Sequence, residues 1–271
     1  MFNQFRLEIS FKTIDELKKK IEFCIMNNVY YLNIPCKGKI KKEFLNDVIE
    51  FVGNNYEDLD VVYHYSCQHQ FSRNVDKSNQ KLIDFIEFCL QYKNQELLLI
   101  SGTNKKKGFE SLDVLNYLKR NSELKFDCGV AYNPYYNEYS DMKNERERFL
   151  NKLKCGIVKS VWLQFGSDIN KLNKEIVFLK ESLNKYSIIN KNEIRIYGSL
   201  FIPSRQFLAR FNFRPWKSVF LSKEYLCSIE HAIEITQRIV EIYSTNNILP
   251  LIETNCSTKN ELDQIYKLLS I

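Results

Sequence analysis

FRLEISFKTIDELKKKIEFCIMNN, residues 5–28, changes the spacing of its apolar residues partway along the stretch. At its start, Phe5, Leu7 and Ile9 alternate with polar residues, which predicts a β-strand with one apolar face. From Thr13 onward the apolar residues recur at the spacing of an amphipathic helix, and threonine is a favourable helix N-cap. The stretch therefore predicts a strand followed directly by a helix.

The same pattern of a strand and then a helix recurs along the whole chain, with no linker rich in proline, glycine or serine. The further predicted strands are residues 29–35, 60–67, 96–101, 126–132, 158–165, 193–202 and 248–254. The further predicted helices lie around residues 41–53, 76–92, 108–120, 139–154, 168–185 and 259–271. A long helical region covers 203–244 and contains a break at FRPW, residues 213–216. The count is eight strand–helix units.

Eight such units in 271 residues favour an eight-stranded parallel β/α (TIM) barrel. We expect one domain over residues 1–271, with a helical insertion at about 203–244 before the last strand. An open, doubly wound sheet is the alternative. Strands such as LLLI at 97–100 are apolar on both faces, as a covered parallel sheet requires. No strand is followed by GxGxxG, and GxxxxGK[ST] is absent, which argues against a nucleotide-binding open sheet.

Composition excludes several classes of protein. No segment approaches the roughly 18 uncharged apolar residues that would span a bilayer, and the amino terminus lacks a signal-peptide pattern. The net charge of +6 comes with interleaved acidic residues, and the lysine runs at 18–20 and 105–107 indicate solvated surface. We therefore expect a soluble cytoplasmic protein that binds neither membrane nor nucleic acid.

The eight cysteines are spread along the chain without a CxxC pair or a histidine at finger-like spacing. Most of them lie in apolar runs, where a free thiol behaves as a small hydrophobic group. We therefore expect neither a disulfide framework nor a metal site.

Glu8 is the first candidate for chemistry, because catalytic residues of such barrels lie at the carboxyl ends of the strands. If Phe5, Leu7 and Ile9 face the helices, Glu8 faces the barrel interior. Burial there would raise its pKa and allow it to donate a proton near neutral pH. The alternative is that Glu8 is solvated, as most charged strand residues are.

The strand ends carry an ordered series of polar and aromatic motifs. In chain order they are Glu8, YHYSC at 63–67, LISGT at 99–103, VAYNP at 130–134, LQF at 163–165, GSLFIPSRQF at 198–207, NFRPW at 212–216 and ETN at 253–255. In order and spacing, and over essentially the whole chain, this series resembles the barrel of the methylenetetrahydrofolate reductases.

The resemblance implies reduction of methylenetetrahydrofolate to methyltetrahydrofolate, with hydride from NADH or NADPH passed through FAD. It implies that Glu8 is the general acid, that Gln164 hydrogen-bonds the pterin and that Phe207 covers the stacked folate. The implied flavin contacts are His64, Ser101, Ala131, Tyr132 and Lys152, and Thr103 takes a place in both catalysis and folate binding. For single residues a structural interpretation stays open: Phe207 as core, Gln164 as a satisfied polar residue and Lys152 as a solvated helix residue.

The sequence departs from the family pattern mainly around the flavin. The family's fourth strand ends in Arg-Gly-Asp, and this chain has Ser101 and Thr103 at the two charged positions. A threonine forms hydrogen bonds but does not supply the field of a carboxylate to an iminium cation. The departures leave open a flavin-independent reductase, a non-catalytic folate-binding barrel, and a methyltransferase with a folate as carbon donor. They also leave open self-association or a role as a subunit beside an active enzyme.

Overall fold

A computed structural model describes residue 2 and residues 4–35, 42–92, 96–102, 108–121, 126–190 and 193–270. The strands are β1 (Arg6–Glu8), β2 (Tyr31–Ile34), β3 (Asp60–Ser66), β4 (Glu96–Ile100), β5 (Asp127–Tyr132), β6 (Val158–Leu163), β7 (Arg195–Leu200) and β8 (Leu249–Ile252). They follow one another in chain order around a closed barrel, and β1 pairs in parallel with β8. The predicted parallel β/α barrel is therefore confirmed.

Helices follow the strands throughout the described ranges. They are α1 (Ile14–Met26), α2 (Lys42–Asn55), α3 (Cys67–Gln70), α4 (Val75–Gln91), α5 (Ser111–Arg120), α6 (Tyr139–Lys154), α7 (Ile169–Asn190), α8 (Arg205–Phe213), α9 (Lys223–Cys227), α10 (Ile229–Thr245) and α11 (Lys259–Leu269). The short helix α3 is not among the sequence predictions. No helix in the described part of the chain combines the length and the apolarity that crossing a bilayer requires.

The region 203–244, predicted as a helical insertion with a break at 213–216, consists of three helices. Helix α8 ends at Phe213, just before Pro215, because proline lacks an N–H and disfavours helical backbone in the residue before it. Serine hydroxyls then start two new helices: Ser222 accepts from the N–H of Tyr225, and Ser228 accepts from the N–H of His231.

The two faces of β1 carry different side chains. The ring of Phe5, just before the strand, meets Tyr266 of α11 edge-on with centroids 6.0 Å apart, so this face lies against the helices. On the other face, the guanidinium of Arg6 lies 5.9 Å from the ring centre of Trp162 and 5.6 Å from that of Tyr197. Since side chains alternate along a strand, Glu8 shares the inner face with Arg6.

Contacts divide the chain into two compact units. The first unit comprises Met1–Leu7, Tyr132–Leu150 and Ser160–Ile271, and the second unit comprises Glu8–Ala131 and Asn151–Lys159. Each has its own buried core, which includes Leu200 in the first unit and Leu82 in the second. The expectation of a single domain stays a prediction.

Candidate functional site

Glu8 ends β1 in the second unit and is only 3% exposed to solvent. Its Oε2 lies 3.9 Å from Nδ1 of His64, which is buried in β3. The alternative that Glu8 is solvated is therefore wrong. The structure brings together two of the residues that the resemblance assigned, a carboxyl group and an imidazole, in a buried setting.

Asn33 completes this buried polar group. It is fully buried in β2, and its Nδ2 lies 3.0 Å from Nε2 of His64. Strand pairing brings the two residues together, because Asn33 is in register with Val62, two residues before His64. Sequence reasoning missed Asn33, although an amide inside the apolar run VYYLNIP was the available signal. We call Glu8, Asn33 and His64 the interior triad.

Lys152 lies on α6 but is only 8% exposed. Its Nζ donates to the backbone carbonyl of Ala131, 3.1 Å away near the carboxyl end of β5. The interpretation of Lys152 as a solvated helix residue is therefore wrong. Burying an ammonium group destabilises the folded protein unless the group is hydrogen-bonded. The bond to Ala131 therefore helps to keep the positive charge of Lys152 near the carboxyl end of β5.

Ser101 and Tyr132, both expected as flavin contacts, use their hydroxyl groups within the protein. The Ser101 Oγ accepts from the N–H of Ser111, 3.0 Å away, and so holds the first turn of α5. The Tyr132 phenol donates to Oε2 of Glu175 at 2.5 Å, and its ring packs on Phe149 of α6. Burial, and then the bond to Glu175, raise the pKa of this phenol.

These two contacts correct the expected roles of both side chains. The Tyr132 ring belongs to the packing between β5 and the helices, and the Ser101 hydroxyl is a helix-capping group. Both hydroxyl groups are thus engaged in contacts within the protein. Thr103, expected in catalysis and in folate binding, lies outside the described residues.

Gln164 directly follows β6 in the first unit. Its backbone N–H donates to the Tyr132 carbonyl at 2.8 Å, and its side-chain carbonyl accepts from the N–H of Phe165 at 3.1 Å. The carbonyl is satisfied locally, as the structural interpretation expected. The amide nitrogen has no hydrogen-bond partner among the described residues, so it can still donate to a ligand.

Phe207 on α8 belongs to an aromatic cluster in the first unit. The members of this aromatic cluster are Phe165, Phe201, Phe207, Phe211 and Trp216. Phe207 stacks on Phe201 with centroids 5.4 Å apart and planes 8° from parallel. Trp216 meets Phe207 edge-on and is 41% exposed, so the cluster opens to solvent on one side. Such a surface suits a planar ring.

The chain around the aromatic cluster is basic. Between residues 201 and 223 there is no aspartate or glutamate. The exposed cations of α8 and the turn after it are Arg205, Arg210, Arg214 and Lys217. A ligand that combines a planar ring with carboxylate groups would match this combination of side chains.

The thiols of the second unit's interior offer little reactivity. Cys67, the first residue of α3, is completely buried, and burial raises its pKa to about 12. All cysteines in the described part of the chain are free thiols, and of these only Cys227 is exposed.

Among the described residues, no group of three histidine, cysteine, aspartate or glutamate side chains is arranged to hold a metal ion.

A cavity of about 640 Å³ lies at the opposite end of the strands in the first unit. Its lining includes Glu193, Arg195 and Leu249, which mark the amino ends of β7 and β8, and Lys180 of α7. In this fold, that end serves stability and the carboxyl end carries chemistry. The cavity contains none of the predicted site residues and is not the candidate site.

No protein-family model matches the sequence, and no curated protein matches it either. Three similar solved structures are those of active domain 2 of a Pyrococcus furiosus chitinase, a Yersinia pestis dihydropteroate synthase with a pterine–sulfa conjugate, and the thermostable aldo-keto reductase Tm1743. The TM-scores are 0.58, 0.52 and 0.50, and the sequence identities are 12%, 9% and 10%. The matches cover 98%, 98% and 97% of this chain and 95%, 92% and 85% of the other chains. At such identities the likeness shows a barrel fold that enzymes of different classes share.

Proposed function

We propose that this chain is an oxidoreductase that reduces methylenetetrahydrofolate to methyltetrahydrofolate with hydride from NADH or NADPH. The observation that carries the proposal is the buried carboxyl group of Glu8 beside His64 at the carboxyl end of β1. Opening the folate's methylene bridge needs a proton on the leaving nitrogen, and hydride can then add to the resulting iminium carbon. A buried glutamate at this end of the barrel is the group to deliver that proton.

The first unit supports a folate as the substrate. A folate has a planar pterin and anionic glutamate carboxylates, which suit the aromatic cluster and the cations around it. The amide nitrogen of Gln164 is a donor of the type that recognises a pterin edge. A barrel of the same fold, the Yersinia pestis dihydropteroate synthase, holds a pterine–sulfa conjugate.

FAD is part of the proposal, and the described residues fit it in part. His64, the backbone of Ala131 and the buried ammonium of Lys152 are suitable contacts in the second unit. The Tyr132 side chain is not, because it is buried and packs against α6, and the Ser101 hydroxyl holds the first turn of α5. When bound, FAD would carry the hydride from the nicotinamide to the folate.

A second candidate function is a non-catalytic folate-binding barrel, alone or as an accessory subunit. Ser101 favours it, because a helix-capping hydroxyl stands where the resembled family has a charged residue. Folate binding without turnover would identify this function.

Binding measurements test the proposal before any rate is measured. We expect FAD to give the purified protein a visible absorbance that survives gel filtration, and we expect calorimetry to detect folate binding. Lys152→Met should weaken FAD binding about tenfold or more, as expected for loss of a charged hydrogen-bond donor. Lys154→Met is the matched control, because Lys154 is an exposed lysine on the same helix.

Two outcomes would count against these expectations. Failure to bind either FAD or a folate would remove the basis of the proposed function. Equal FAD affinities of the Lys152 and Lys154 variants would remove Lys152 from the cofactor site and leave the folate part standing.

A further inference from the structure

We propose that Asn33 is a positioning residue that holds His64 as a neutral imidazole with its proton on Nδ1, and thereby preserves the protonated form of Glu8. The role of Glu8 as an acid rests on the proposed function, whereas the protonation state of His64 does not. The three members of the interior triad are buried in β1, β2 and β3.

The contact between Asn33 and His64 fixes the roles of the ring nitrogens. An amide nitrogen donates and does not accept, so the Nε2 atom, 3.0 Å from Nδ2 of Asn33, must be the acceptor. A neutral imidazole with an unprotonated Nε2 carries its proton on Nδ1. The Asn33 amide therefore selects one of the two neutral forms of His64.

The same contact opposes the charged form of His64. An imidazolium has N–H donors at both ring nitrogens, and its Nε2–H would point at the amide hydrogens of Asn33. The protein interior makes such a donor–donor contact costly, because neither group can turn to water. Asn33 thus keeps positive charge off the ring.

The charge of His64 matters because its Nδ1 lies 3.9 Å from Oε2 of Glu8. At this separation a positive imidazolium would favour the carboxylate form of Glu8 through its field, and the acid would lose its proton. A neutral ring carries no net charge, so it favours the carboxylate form of Glu8 much less. Among the described residues of the second unit, Cys67 and Lys152 are further titratable groups at the carboxyl ends of strands, and burial holds the Cys67 thiol neutral.

Nitrogen NMR of the histidine rings tests the inference without any substrate. The chain has three histidines, so His64→Gln assigns the His64 signals by their disappearance. In the unaltered protein at neutral pH, we expect a protonated Nδ1 and an unprotonated Nε2. Asn33→Asp replaces the donor by an acceptor of the same size, and we expect it to place a proton on Nε2.

The control is Asn55→Asp, the same exchange at an asparagine whose Nδ2 donates to the carbonyl of Phe51 on α2. It should leave the His64 signals unchanged. A proton on Nε2 in the unaltered protein, in either the neutral or the charged ring, would overturn the inference even if the Asn33 variant did not fold. So would an Asn33→Asp protein whose His64 signals match those of the unaltered chain.

Turnover separates this inference from the proposed function. Asn33→Asp should lower the rate about tenfold or more, because an acceptor at this position favours an imidazolium, and the field of an imidazolium favours the carboxylate form of Glu8. If the predicted ring state is found and no folate is reduced, the proposed function fails alone. If folate is reduced and the ring state differs, the inference about Asn33 fails alone.

Discussion

Replacing Glu8 with glutamine is expected to lower the turnover of methylenetetrahydrofolate about a hundredfold or more, as loss of a general acid does. Glutamine keeps the size of the buried side chain and a hydrogen-bonding group but has no proton to give at neutral pH. The measurements are kcat and KM for the folate, together with affinities for folate and FAD. We expect kcat to fall while both affinities stay close to those of the unaltered protein.

Glu22→Gln is the control for this experiment, because Glu22 is an exposed glutamate on α1. It should leave kcat unchanged. A Glu8→Gln protein with full activity would exclude Glu8 from the chemistry. A protein that loses folate binding as well as turnover would show that Glu8 holds the substrate rather than protonates it.

The second large effect concerns stability. Glu175 of α7 accepts from the Tyr132 phenol at 2.5 Å and from Nη2 of Arg146 at 2.6 Å, and its side chain is only 3% exposed. Glu175→Ala would leave a buried phenol without its acceptor and a cation without its partner. We expect a loss of about 2–4 kcal/mol in the free energy of unfolding.

This loss is smaller than the largest values for broken buried ion pairs, because the Arg146 side chain is 31% exposed and retains water. Its guanidinium also lies 4.6 Å from the centre of the Phe178 ring, a contact that survives the change. Urea unfolding measures the loss, with Glu181→Ala, an exposed position on α7, as the control. Equal stabilities of the two variants would mean that the buried network contributes nothing.

The order of strands and helices was predictable because the apolar period switches between two and about 3.6 residues in each unit. Strand β3 and helix α6 show this well. The strand predicted at 60–67 is observed as Asp60–Ser66, and the helix predicted at 139–154 is observed as Tyr139–Lys154. The division of 203–244 was predicted only at the FRPW break, since its three helices all carry helical periodicity. Its signals were local, namely Pro215 and the capping serines Ser222 and Ser228.

The site was less predictable than the fold, for reasons that individual residues make clear. Alternation along DCGVAY puts Cys128, Val130 and Tyr132 on one face, and the Tyr132 contacts show that this face meets the helices. The family resemblance assigned Tyr132 to the flavin without that check. The position of the Lys152 side chain could not be predicted, because a sequence does not reveal whether a long lysine side chain extends to water or inward. In the structure it extends inward, to the carbonyl of Ala131.

Arg6 and Asn33 show what pattern reading leaves out. Each is a polar strand residue, and each is fully buried among named partners. A strand of alternating residues indicates which side chains share a face, but the partner on the neighbouring strand depends on register. The partners of Arg6 and Asn33 therefore became known only from the structure.

The most direct test of the central claim is the oxidation of NADH or NADPH by the purified protein, supplied with FAD, in the presence and absence of methylenetetrahydrofolate. The proposed function predicts that the nicotinamide is oxidised only with the folate present, and that one methyltetrahydrofolate forms for each nicotinamide oxidised. Oxidation at the same rate without the folate would contradict the claim. So would the absence of methyltetrahydrofolate under every combination of nicotinamide and flavin.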